Sequence, residues 1–496
     1  MKTQNIRYNV IVNMIRTVTL TILSFISFPF ACRALGDAGM GTYTWANTFV
    51  YYFLTLAKLG IPSVAIRECT KVRDDRDALS HKVQEFFIMQ AVLTLLSFGL
   101  MVLVMVSFQG DLWSNKELIF LLATNFLVGA FSFEWVFIAL EKHYFTSFRS
   151  IFALLVSAVM ILLFIKIPNA EGIPLFGDQV YLYAFFTCLV TYITVIINVL
   201  FLGKYVSFRK KGPYHFKSYI KPLLVIFGIS FLLTLYNQSD SFILGLIDTS
   251  KVEVGSYSVG IKAIEIIITI ITSLSAVFIP RATHLYKMEN KFFFKNLAQY
   301  SMNICFFIAL PAIATLTTLS STVTALISGN EGYQNSASTL IVLASMTLTF
   351  SIGDMIYNSI LLPSGKEKSY LITMGLGVVL NIGTSIGLGL LFKNNPSVGV
   401  AIGTAGVDFI ILIVLILLTK QYSFASIFNW NNLKLIVAAA IVAVASYFLN
   451  QYLSFNSLVQ LLVILLIDAF LYLGSLCIMQ EKLVSSFLRK KNKEEN

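Results

Sequence analysis

Fourteen apolar stretches run along this chain, and the basic residues between them are confined almost entirely to alternate gaps. The stretches fall near 10–32, 43–66, 83–108, 117–140, 148–167, 178–203, 218–247, 253–280, 293–320, 335–363, 369–392, 397–419, 432–452 and 455–480. Of the 36 lysines and arginines, 28 sit at the N-terminus, in or within a turn of the even-numbered gaps, or in the C-terminal tail. The odd-numbered gaps hold only Arg33, Lys116, Lys166, Lys251 and Lys393. Lysine and arginine resist translocation, so the rich side reads as cytoplasmic, with both termini inside. Three cations, Arg16, Lys58 and Lys262, fall well inside apolar stretches, more than a turn from either end. A charge there costs about 2.5–3.5 kcal/mol at a helix centre on insertion scales, which marks them as candidates for function.

With 57% hydrophobic and 12% charged residues, the chain is excluded from the soluble globular class. Most stretches reach the roughly 20 residues that a spanning helix needs and exceed the roughly 10 of a barrel strand, so an all-α polytopic membrane protein with 14 transmembrane helices is expected. The first stretch has no small-residue cleavage site and reads as a retained helix. The net charge of +11 would suit nucleic acid, but its placement beside membrane spans excludes that partner. Arg209, Lys210, Lys211, Lys217 and Lys221 form the densest cluster and suit anionic lipid headgroups. The five cysteines are scattered, so neither a metal site nor a disulfide framework follows. His81, His143, His215 and His284 read as solvated loop residues. No loop is long enough for a nucleotide-binding domain, no phosphate-cradling glycine loop is present, and no hydrolase constellation stands out. An enzyme is therefore not expected.

The basic segment 204–221 divides the first twelve stretches into two sets of six. Gly41-Thr42-Tyr43 opens the second stretch and Gly255-Ser256-Tyr257 opens the eighth, 214 residues later. Pro62 closes the first of this pair and Pro280 the second. The pattern predicts duplicated six-helix bundles related by a pseudo-two-fold axis along the membrane normal, an architecture of transporters. The expected organisation is an N-terminal lobe over 1–207, a C-terminal lobe over 208–424, and two further helices with a basic tail over 425–496. Those last two helices line a lipid-facing groove or simply pack; the sequence leaves both open.

Arg16 and Lys58 lie about two turns from the cytoplasmic ends of their helices, so snorkelling to headgroups is the alternative to function. Lys262 lies two turns from the outer end, where snorkelling opposes the bias of the other cations. If the first two helices of each half face a shared cavity, the three would receive an anionic headgroup such as a pyrophosphate. Asn47, Tyr51 and Lys58 share one helical face, Lys262 and Glu265 are three apart, and Asn237, Asp240 and Ser241 share a face. Glu134, Asp240, Glu265, Asp354, Asp408 and Asp468 are the intramembrane acids, each a candidate proton carrier. Asn381 with Ser385, and Thr404 with Asp408, are each one turn apart. With Asp240 they would supply hard oxygen ligands to a small cation, the alternative being interhelical hydrogen bonding.

The stretch Arg33-Ala-Leu-Gly-Asp-Ala-Gly-Met-Gly-Thr-Tyr43 resembles the R-x-L-G-x-x-x-x-G-x-Y signature of bacterial polysaccharide flippases. These form the polysaccharide-transport branch of the multidrug/oligosaccharidyl-lipid/polysaccharide exporter superfamily. Phe133-Glu134-Trp135 through Leu140-Glu141-Lys142 is similar to that branch's acidic-W…G-L-E segment, with Ala139 where glycine is common. Asp240 through Gly245 and Val254-Gly255-Ser256-Tyr257 resemble its D-x-x-x-L-G…V-G-x-Y hairpin. Leu362-Pro363, Gly365-Lys366-Glu367-Lys368 and Gly399–Asp408 also fit, Asp408 standing where glutamate is common. The resemblance covers residues 1–410 and implies alternating access for a sugar repeat unit on polyprenyl pyrophosphate. The related lipid II flippases carry two extra C-terminal spans and a sodium site on spans seven, eleven and twelve. Asp240, Asn381, Ser385 and Thr404 stand at comparable places, with Ser385 where an acid is expected.

The expected function is thus a flippase for lipid-linked oligosaccharide or teichoic acid repeat units in capsule or cell-wall export. It would sit as a monomer in a bacterial plasma membrane, without a cofactor and with Na+ or H+ as candidate coupling ions. The alternatives are a multidrug/cation antiporter of the same superfamily, whose cargo three cavity cations would repel, and a scaffold in cell-wall synthesis.

Overall fold

The computed structural model describes residues 6–165, 179–209, 213–329, 333–453 and 456–485, with side chains from Ile15 onward. Lys166, Lys210, Lys211 and the basic tail beyond 485 lie outside them. Every regular element among the described residues is helical. Among the described residues, thirteen helical stretches are long and apolar enough to cross a membrane, against the fourteen expected. The difference lies in the first, which runs 57 residues from Ile15 to Lys71. At about 1.5 Å per residue it would be nearly three bilayer cores long if straight. It is broken instead at Gly36 (φ 69°, ψ 177°), in the gap expected between the first two stretches, and again where Leu59 and Gly60 take positive φ. On the outward faces, Leu95, Leu200, Val379, Leu391 and Phe470 are well exposed, as a surface solvated by lipid requires.

Two compact units divide the chain, Met1–Gly255 and Ser256–Asn496. This partition follows packing, whereas the 207/208 division follows sequence pattern. The first unit contains α1 (Ile6–Lys58), α2 (Ile61–Lys71), α3 (Arg76–Ser107), α4 (Gln109–Ser114), α5 (Lys116–Gly129), α6 (Glu134–Ala139), α7 (His143–Phe164), α8 (Gln179–Leu202), α9 (Lys217–Ile247) and the first turn of α10 (Val252–Lys287). Helix α1 packs against α3, α7 and α9. Its seam with α9 is stitched by Thr48 to Gln238 (3.3 Å) and Thr55 to Thr234 (3.1 Å). A core of Ile61, Val64, Val83, Phe86, Trp135 and Val136 closes the lysine- and arginine-rich end. There the basic linker is pinned to α3. The Gln84 amide donates to the carbonyls of Ser207 (2.7 Å) and Arg209 (3.0 Å), and the buried Glu85 carboxylate accepts from the His215 backbone (2.7 Å). His81, expected in a loop, is on α3 and bonds the Pro213 carbonyl at 3.0 Å.

The two G-x-Y motifs meet within this unit. A Cβ on Gly41 would lie 1.8 Å from the Lys251 carbonyl oxygen, and one on Gly255 would lie 2.2 Å from the Asp37 carbonyl oxygen. Each glycine therefore faces the carbonyl four residues before the other, so the contact obeys the 214-residue repeat. Only hydrogen in place of a side chain permits so close a crossing.

The second unit continues α10 and adds α11 (Lys291–Thr318), α12 (Ser320–Ser328), α13 (Ser336–Ala344), α14 (Met346–Ile356), a π-helical turn at Tyr357–Leu361, α15 (Glu367–Leu391), α16 (Pro396–Leu418), α17 (Lys420–Ile427), α18 (Trp430–Tyr452) and α19 (Ser457–Ile478). Helices α15 and α16 pack closely because Gly399 and Gly403 present no side chain to Leu388 and Thr384. Of the two roles left open for the last two helices, packing is evident. Helix α18 lies along α11 and α19 along α18, and the buried Asp468 of α19 accepts from Ser446 (2.6 Å) and Thr315 (3.4 Å).

Candidate functional site: a cation cluster around one carboxylate

Helix α5 ends near Gly129, and Phe133 takes a left-handed conformation (φ 45°) that restarts the chain as α6 with Glu134 in its first turn. Glu134 is partly exposed and gathers the charges around it. Arg149 Nη2 lies 2.9 Å from its Oε1, and Arg16 Nη1 lies 3.8 Å from the same oxygen. Lys58, exposed at the end of α1, feels the same carboxylate electrostatically. Two arginines thus share one anion, with Lys58 in Coulombic reach of it.

Their grips differ. Arg149 sits in the second turn of α7 with its side chain 1% exposed. Its other terminal nitrogen donates to the Asn198 amide oxygen (2.5 Å), and the Asn198 nitrogen donates to the Ser132 carbonyl. Arg16 is 25% exposed and held only at the outer limit of an ion pair. The Nε atoms of both arginines are buried without an acceptor among the described residues. Donor capacity therefore exceeds what Glu134 can accept, and forked guanidinium donors suit the oxygens of a second oxyanion.

Of the three cations expected to act together, the first unit pairs Arg16 with Glu134 and holds Lys58 within Coulombic reach of the same carboxylate. Lys262 belongs to the second unit, where its Nζ lies 2.7 Å from Glu265. Asn47 is half-buried on α1, Tyr51 and Asn237 are exposed, and Asp240 is buried. Sequence reasoning missed Arg149, which had been counted among the gap cations. The available signal was complementarity, since Glu134 and Asn198 interrupt the apolar stretches on either side of the one that Arg149 opens. Lys251 was missed too. Rather than lying in a solvated gap, it is buried, 2.7 Å from Asp111, bonded to the Gly245 carbonyl and 4.3 Å above the Trp45 ring.

In the second unit, Asn381 Oδ1 accepts from Thr404 Oγ1 (3.0 Å) and lies 3.5 Å from Ser385 Oγ, with Asp408 buried one turn beyond Thr404. The Thr404–Asn381 bond joins α16 to α15, the Ser385–Asn381 bond stays within α15, and the three oxygens are also of the donor type that a hard cation takes. Asp240, the fifth residue of that candidate set, lies in the first unit. No cluster of three or more His, Cys, Asp or Glu able to hold a metal occurs among the described residues.

Residues 6–286 match the family described as "Polysaccharide biosynthesis protein", and residues 226–386 match the MatE family. A search of curated proteins finds no match. Among solved structures, the lipid II flippase MurJ in an inward closed conformation is similar, with a TM-score of 0.61 at 15% identity, covering 96% of this chain and 98% of that one. An inward-facing multidrug resistance MATE transporter gives a TM-score of 0.55 at 17% identity, covering 86% and 96%. A transporter of the same superfamily from Pyrococcus furiosus, described by the reversed polarity of its binding pocket, gives 0.57 at 16% identity, covering 85% and 96%. The family match spans more than half of the chain, which therefore belongs to the polysaccharide biosynthesis protein family.

Proposed function

We propose that this protein moves a polyprenyl-phosphate- or pyrophosphate-linked sugar unit from the inner to the outer leaflet of a bacterial plasma membrane. The observation that carries the reading is the surplus of cations around Glu134 in a membrane-embedded member of a polysaccharide biosynthesis family. Its relative MurJ, described as a lipid II flippase, also handles a lipid-linked substrate. Arg16 and Lys58 contact the phosphate at one stage of transport and Lys262 at another, each balanced by its neighbouring acid. The lysine- and arginine-rich side faces the cytoplasm, where such precursors are assembled. The polymer is a capsule or teichoic acid, and the protein acts as a monomer among anionic lipids. A cationic drug is disfavoured as cargo, because the same cations repel it.

The return step draws on an ion gradient or the membrane potential. One charge moved through 100 mV is worth about 2.3 kcal/mol, so a single Na+ or H+ suffices to bias the cycle. For Na+, the Asn381, Ser385 and Thr404 oxygens with Asp408 are the candidate ligands.

The test is transport of a fluorescent lipid-linked oligosaccharide by purified protein in vesicles, with Lys262→Ala compared in cells. Wild-type protein is expected to expose the sugar to an external lectin, and the variant to lose surface polymer at normal protein abundance. Normal polymer output from the variant removes Lys262 from the mechanism, and no lectin-accessible sugar from wild-type vesicles removes the flippase reading.

A further inference from the structure

We propose that Glu134 is an internal counter-anion that stands in for the substrate's phosphate in the unloaded protein. On loading it gives up Arg16 and Lys58 while keeping Arg149. This rests on the phosphate reading above and deepens it.

The unequal grips around Glu134 carry the argument. Arg149 is locked: its side chain is buried, two acceptors hold its terminal nitrogens, and Asn198 is itself anchored to the Ser132 carbonyl. Freeing it would strand a charge in a membrane-embedded interior. Arg16 is loosely held at 3.8 Å, partly exposed, and retains an unaccepted Nε–H. Lys58 is exposed. An arriving oxyanion therefore competes for Arg16 and Lys58 and leaves the Arg149–Glu134 pair intact.

Charge counting then sets the ligand class. Two arginines against one carboxylate leave a surplus of one positive charge, and the Lys58 amine, within Coulombic reach of the same carboxylate, supplies a second. A dianionic phosphate, either a diphosphate or a phosphate monoester, balances that surplus, whereas a phosphodiester balances half of it. In the unloaded state the same carboxylate shields the cations, which lowers the cost of returning the empty site through the bilayer. Glu134 is thus a positioning residue that sets affinity and release together, and an excess of binding strength would slow turnover.

The experiment uses full-length protein in detergent, titrated calorimetrically with inorganic pyrophosphate and with dimethyl phosphate. Wild type is expected to bind pyrophosphate and to take dimethyl phosphate much more weakly. Glu134→Gln is expected to tighten pyrophosphate roughly tenfold and to lower the vesicle turnover rate at saturating substrate. Should that variant fail to elute as a folded species, Glu134→Asp keeps the charge on Arg149 while drawing it away from Arg16; a severalfold tightening is expected. A folded variant of either kind with unchanged or weaker pyrophosphate affinity overturns the counter-anion role and leaves the phosphate site standing. Wild type that binds neither probe overturns both.

Discussion

Replacing Gly41 with alanine is the sharpest probe of how this fold is held. The new Cβ would lie 1.8 Å from the Lys251 carbonyl oxygen, about 1.6 Å inside ordinary contact. The obstacle is backbone, which cannot rotate aside, so α1 must draw back from the turn between α9 and α10. That movement loosens what lies on either side of the crossing. The Trp45 ring rests on Gly245, where a Cβ would approach within 2.1 Å, and Lys251 bridges Trp45 and Asp111. Overpacking of this kind costs about 1–3 kcal/mol, and opening a gap of about an ångström forfeits a quarter to a half of each dispersion contact there. A loss of about 2–3 kcal/mol is therefore expected for Gly41→Ala, and a similar loss for Gly255→Ala. The same separation relieves both clashes, so the double variant is expected to lose little more than either single one. Unfolding of purified protein by graded SDS in mixed micelles reads these differences. A Gly41→Ala variant within about 0.5 kcal/mol of wild type, or a double variant whose loss is additive, would refute the reciprocal crossing.

Lys251 and Asp111 give an asymmetric pair. Asp111→Ala strands a buried cation, whereas Lys251→Met leaves a half-exposed carboxylate that water can serve, so the aspartate variant is expected to be the less stable by about 1–2 kcal/mol, and the double variant to recover to the Lys251→Met level, in the same SDS titration. Asp468→Leu is expected to cost less than about 1 kcal/mol or to stabilise, because Ser446 and Thr315 also have the carbonyls of Val442 (2.9 Å) and Pro311 (3.0 Å) within reach, while the unpartnered Oδ1 is removed; a loss above about 3 kcal/mol refutes this.

The helical spans were legible because apolar length alone fixes them in a membrane, and the break at Gly36 fell where the gap between the first two stretches stood. The site was legible only in part. Arg16 and Lys58 were conspicuous because each interrupts an apolar run. Arg149 was hidden because the run before it, from Glu141 to Phe148, is mixed in polarity, so α7 begins before hydropathy announces it. Lys251 was hidden likewise, since a short gap between helices reads as solvent-facing whether or not a tryptophan covers it. Periodicity and hydropathy report the environment of a segment. What pairs with what depends on contacts between helices, such as Arg149 with Asn198 across 49 residues.

The repeat itself separates scaffold from function. At an offset of 214 residues the packing elements recur, with Gly41 answered by Gly255 and Asp37 by Lys251, whose backbones make the reciprocal contact. The charges do not recur. Lys262 corresponds to Thr48, which bonds Gln238 in the α1–α9 seam. Pro62 and Pro280 place the drift in register at four residues by the end of the helix, so Lys58 corresponds to some position within 272–276, a segment with no charged residue. A duplicated helical hairpin folds by repeating its close contacts, and it can then diverge wherever a side chain does not carry the crossing. The cations arose in that freedom. Lys262 lies about two turns from Gly255 and Lys58 nearly five from Gly41, each on a helix whose position the glycine crossing already fixes, so changing either cation should alter transport without undoing the fold. Surface polymer lost at normal abundance in Lys262→Ala, set against reduced abundance in Gly255→Ala, is the contrast this division requires; equal loss of abundance in both would mean that scaffold and charge are not separable.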